Sequence, residues 1–117
     1  MRIATCAGEQ VLVVDGPGPA VGVAGAIDVA AAAFEGNAGF IAIAVDRLDP
    51  AFFDLRTGVA GEIVQKLVNY RLRLAVVGEI GEPAASSRAF AAFVREGNRG
   101  QGPWFVASLA ELEERLA

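Results

Sequence analysis

Residues Phe40 to Val45, FIAIAV, are apolar at both alternating sets of positions. A strand covered on one face alternates with polar residues; one that does not alternate is covered on both, as in the centre of an α/β sheet. A second strand, Leu72 to Val77 (LRLAVV), ends at Gly78. Between the two runs lies a segment with helical rather than strand periodicity. A helical crossover joining such strands calls for a parallel pair.

The rest of the chain supplies further units. Arg2 to Cys6 and Val11 to Asp15 read as strands, and the four residues between them suit a hairpin. After the breaker cluster Gly16-Pro17-Gly18-Pro19, an Ala-rich helix runs over Ile27 to Phe34, entering near Val23. Its residues Ile27, Ala30, Ala31 and Phe34 share one face, and Gly36 and Asn37 stop it. Asp49-Pro50 opens a short turn over AFFD that Phe52 and Phe53 anchor. Glu79 to Ala85 reads as an acidic loop. Ser86 or Ser87 caps a helix to about Glu96 with Phe90, Phe93 and Val94 inside. Gly97 to Pro103 reads as irregular loop. Trp104 to Ala107 is the last strand. Ser108 to Glu111 has capping-box spacing and opens a final helix whose inner side is Leu109, Leu112 and Leu116. The order is ββαβαβαβα: one domain over residues 1–117, built on a single, mostly parallel mixed sheet of about five strands.

The 117 residues include no histidine and one cysteine, Cys6. That removes the commonest general base and metal ligand, any internal disulfide, and most transition-metal sites. Cys6 reads as a small strand residue, since no nearby cation would lower its pKa. The net charge of −4 and the lack of a basic cluster argue against nucleic-acid or anionic-membrane binding. No apolar run approaches 20 residues, and the N-terminus has no signal character, so the expected location is the cytoplasm. The Gly-rich stretch GPGPAVGVAG lacks G-x-G-x-x-G spacing and carries two prolines that cannot donate. It reads as a turn allowing close helix–sheet packing rather than a phosphate loop.

The densest polar constellation lies between the two central strands: Asp54, Arg56, Thr57, Glu62, Lys66 and Asn69. Thr57 is placed to cap a helix from about Gly58 to Tyr70, whose apolar stripe is Ala60, Ile63, Val64, Leu67 and Val68. Glu62, Gln65, Lys66 and Asn69 fall at i, i+3, i+4 and i+7 on one polar face, with Glu62 and Lys66 in the favourable order for an ion pair.

The run FFDLRTGVAGEIVQKLVNYRLRLAVVGEI, with SSRAFAAFVREGN and WFVASLAELEERL, resembles the bacterial family named domain of unknown function 4180. More distantly, the element order and the strand-loop-helix-strand unit centred on Thr57 resemble the STAS fold of anti-anti-sigma factors. Those proteins carry a phosphorylated serine in the corresponding loop. The resemblance implies a regulatory docking surface here, with Asp54, Thr57 and Gly58 matched only by allowing one extra residue and Arg56 departing from the pattern. A phosphate on Thr57 would sit at a helix N-terminus, where free amides favour it.

Two functions follow. The first is a non-enzymatic regulatory or protein-interaction module that uses no cofactor or metal. It would dock an unidentified protein through Asp54, Arg56, Thr57, Gly58, Glu62, Gln65, Lys66 and Asn69. The second is a small-ligand or cation binder, or weak enzyme, in which Asp46, Asp49, Asp54 and Glu79 gather beyond the strand ends. A homodimer through an apolar sheet edge or the last helix is compatible with either.

Overall fold

A hairpin opens the chain. In the computed structural model, which describes residues 1–117, β1 (Arg2–Cys6) pairs antiparallel with β2 (Glu9–Val14), Cys6 opposite Glu9. Only Ala7 and Gly8 connect them, both at positive φ, 50° and 84°. That is the backbone of a type I′ turn, whose twist matches that of the strands. The loop is two residues shorter than expected because Glu9 and Gln10 join the ladder.

Four crossover and closing units follow: α1 (Val23–Glu35), β3 (Phe40–Ala44), α2 (Val59–Asn69), β4 (Arg73–Val77), α3 (Gly81–Ser86), α4 (Arg88–Arg99), β5 (Trp104–Val106) and α5 (Leu109–Leu116). The strands lie in the order β1-β2-β3-β4-β5. The first pair is antiparallel and the other three are parallel, so the mostly parallel sheet of the sequence reading is a mixed five-stranded sheet with its antiparallel pair at the β1 edge. No helix is long and apolar enough to cross a membrane.

Strand order that follows chain order has a steric consequence. Each right-handed crossover steps the same way, so the connecting helices all fall on one face. The larger core lies there. Leu12, Val14, Ile41, Ile43, Leu74, Val76 and Phe105 of the sheet meet Ala26, Val29, Ala30 and Ala33 of α1, Ala60, Ile63 and Leu67 of α2, and Phe90 of α4. Alternate residues of the same strands point the other way. There Val11, Val13, Phe40, Ala42, Ala75, Trp104 and Val106 are covered by α5 through Leu112. Leu109 and Leu116 pack on this core too, so the last helix has its apolar side committed to its own sheet.

Three expectations need correction. The buried side of α1 is Ala26, Val29, Ala30 and Ala33, while Ile27 and Phe34 face solvent. Only Asp28 and Glu35, both exposed, are charged in this helix, and Ile27 and Phe34 lie beside them on the outer side while the small alanines pack inward. The acidic loop over Glu79 to Ala85 is mostly helix α3. Pro83 is tolerated there because the first turn of a helix has no partner for its N–H groups. Finally, α4 continues through Gly97, Asn98 and Arg99. A Cβ on Gly97 would collide with the Pro103 carbonyl, and the Asn98 side chain accepts from the Phe105 amide at 2.7 Å. These residues tie α4 to β5 rather than forming a loop.

Candidate functional site

Three successive 3₁₀ turns lead from β3 to α2: Val45–Arg47, Pro50–Phe53 and Leu55–Thr57. The second and third are each fixed by an aspartate side chain that accepts a backbone proton, and the second also by an aromatic anchor. The Asp49 carboxylate accepts from the Ala51 amide at 2.9 Å, and Pro50 follows it at the first position of the turn. Phe52 is fully buried, with its ring 5.4 Å from that of Phe53 and 6.4 Å from that of Phe93. This aromatic cluster, continued by Phe90 and Phe105, holds the loop on α4 and the sheet.

Asp54 then organises the third turn. Its carboxylate accepts from the Arg56 amide at 3.1 Å and from the Arg56 guanidinium at 3.0 and 2.9 Å. Those hydrogen bonds hold the Asp54 carboxyl below the usual carboxylate range and raise the Arg56 guanidinium above its own. The pair lies in solvent, where such contacts add little stability. Thr57 Oγ1 lies 2.8 Å from both the Ala51 and Asp54 carbonyl oxygens, so its single proton is shared between them. It accepts in turn from the Val59 amide at 3.2 Å. The cap residue of α2 is Gly58, in the left-handed region at φ 78°, not Thr57. Thr57 stands one residue outside the helix, because the preceding 3₁₀ turn must reverse before α2 begins.

Along α2, Glu62, Gln65 and Asn69 are exposed and Lys66 is half-buried. Gln65 Nε2 donates to Asn69 Oδ1 at 2.9 Å. Glu62 and Lys66 do not form the expected ion pair; the chain's two pairs are Arg2–Asp15 and Asp54–Arg56. The apolar stripe is narrower than expected as well. Ala60, Ile63 and Leu67 are buried, Val64 is half-buried, and Val68 is 56% exposed. Asp54, Arg56, Thr57 and Gly58 therefore form one compact corner, and the α2 residues extend from it along a single helix.

The acidic rim does not converge: no three Cys, Asp or Glu side chains come together where they could hold a metal ion. Asp49 and Asp54 are engaged in fixing turns. The residue that the sequence reading missed is Arg47. Only 9% exposed, it donates from Nε to the Pro19 carbonyl at 3.1 Å and from Nη1 to the Asp15 carbonyl at 3.2 Å. Gly18 lies against the guanidinium with no room for a Cβ, and Val21 bridges to Leu48 in parallel. The Gly-rich stretch is thus strapped to the loop after β3, which accounts for Gly18 by packing, while Gly16 serves the turn through its positive φ of 73°. Nothing in a single sequence distinguishes such an arginine from a surface one.

A family model described as Domain of unknown function (DUF4180) matches residues 6–116. No curated protein and no solved structure matches the chain.

Proposed function

The chain belongs to the DUF4180 family, and from that premise we propose a non-enzymatic protein-interaction module docking through the Asp54–Gly58 loop and the outer side of α2. One contrast carries this reading. The loop is held rigidly by the Asp54 and Thr57 hydrogen bonds, while the outward polar groups of α2 bond only within their own helix. A loop backbone already fixed adds little ordering cost when a partner binds, so that cost falls on the exposed side chains, among which Gln65 is already bonded to Asn69.

The likeness to STAS domains rests on the same strand-loop-helix unit and favours a regulatory role for the docking. The hydrogen bonding of Thr57 favours docking over a phosphate switch. A phosphoryl group on Oγ1 would remove the proton that closes the loop onto Ala51 and Asp54.

The test is affinity capture from the native cell with the wild-type chain and a Glu62→Arg/Gln65→Arg variant. Both positions are exposed, so the fold should lose no more than about 0.5 kcal/mol per site. The expected result is loss of specific partners from the variant. Equal recovery of the same proteins by both chains would remove this surface from consideration.

A further inference from the structure

At the far end of α2, beside the N-terminal ends of the parallel strands, the surface turns apolar. Ile27, Ala31 and Phe34 follow one another at i, i+4 and i+7 on the outer side of α1, and Tyr70 faces them from the turn after α2. Between them lies a groove of about 700 Å³. Phe34 is 84% exposed, Tyr70 60% and Ile27 48%. Three of the chain's six exposed large hydrophobic side chains thus meet at one groove.

The rim of the groove identifies the occupant. It carries one acid, Glu35, and one base, Arg71, and both of the chain's ion pairs lie elsewhere. A two-fold interface uses the same patch on both copies, so every contact from residue i to residue j is repeated from j to i. A patch with a projecting aromatic ring, a cavity, an acid and a base supplies both halves of each such contact. Two copies would bury Phe34 in the facing groove and set each Glu35 against the other copy's Arg71. A uniformly acidic or basic partner would meet one like charge at the rim.

We propose that this groove is the interface of a homodimer, formed by a second copy of the chain. It lies apart from the Asp54–Gly58 corner and does not depend on the docking role proposed there.

Sedimentation equilibrium or light scattering over a wide concentration range tests it. The expected mass rises from 12.1 kDa toward twice that value as concentration increases. Phe34→Glu, at an exposed position, should raise the dissociation constant about hundredfold, from two lost aromatic burials. Far-UV circular dichroism verifies that this variant is folded. Glu35→Arg and Arg71→Glu should each weaken the dimer, and the two changes combined should restore it. A wild-type monomer at every concentration would overturn the proposal, as would a dimer indifferent to all of these changes. A monomer whose groove binds an apolar fluorescent dye, and loses it on Phe34→Glu, would assign the groove to a small apolar ligand and overturn it too.

Discussion

Thr57 shows how a single hydroxyl sets a corner of the fold. It donates toward two carbonyls and receives the first amide of α2, so three backbone groups depend on it. Thr57→Val should cost about 1 kcal/mol in urea unfolding, and Thr57→Ser should recover most of that. Its neighbour Asp54 gives a pH signature. Because Arg56 lowers its pKa in the folded state, the interaction is fully present above the ordinary carboxylate range. It is lost as pH falls through the depressed value. A carbon-detected NMR titration should place Asp54 below the ordinary carboxylate range, and Arg56→Gln should return it toward that range. Cys6 behaves in the opposite sense. Burial, and secondarily the Glu113 carboxylate, push its thiol up, so the folded chain keeps it protonated where the unfolded chain has lost the proton. Its contribution to stability is present below the ordinary thiol pKa and is lost as pH rises through the raised value. Cys6→Ala should remove that alkaline sensitivity from a pH series of melting curves.

At the scale of elements, local chemistry decided what could be read ahead of the structure. Phe40–Ala44 and the Asp49-Pro50 turn were legible because a short unalternating run with Phe40, Ile41 and Ile43 favours a buried strand and an Asp-Pro pair favours a helical start. So was the final helix, where Ser108 accepts from the Glu111 amide at 3.2 Å. The orientation of α1 was misread because the large apolar Ile27 and Phe34 were set inside, whereas Asp28 and Glu35, seven residues apart, mark the side next to them as the outer one. Gly97 misled in the opposite direction: glycine and asparagine signal a loop, yet here the glycine admits a crossing backbone. Gly97→Ala should therefore destabilise by about 1–3 kcal/mol in denaturant titration. Gly100→Ala, whose Cβ meets only ordinary contact with the Glu96 carbonyl at 3.6 Å, should fall well short of that. At the candidate site, the residue types at Asp54, Thr57 and Gly58 were legible, but their division of labour was not. Whether the threonine or the glycine caps α2 depends on a 3₁₀ turn that leaves no periodic trace.

Over the whole molecule, the two sides of the sheet are unequally served, with three crossovers on one face and α5 alone on the other. Trp104, the only tryptophan, lies on that second face with the Arg73 and Arg115 guanidiniums 4.4 and 4.0 Å from its ring. Leu112→Ala should cost about 2–5 kcal/mol and loosen α5. Tryptophan emission should then shift to the red at lower denaturant than the far-UV signal changes. The sequential strand order has a further consequence, for synthesis rather than stability. Each strand pairs with the one made just before it, so the growing sheet never waits for a partner still to be translated. Assembly can proceed from the hairpin outward as the polypeptide is made. The exception is α5, which packs on β1 as well as β5, with Glu113 reaching the Ala7 amide. That contact joins the β1–β2 turn to α5, so it can close only after α5 has been made.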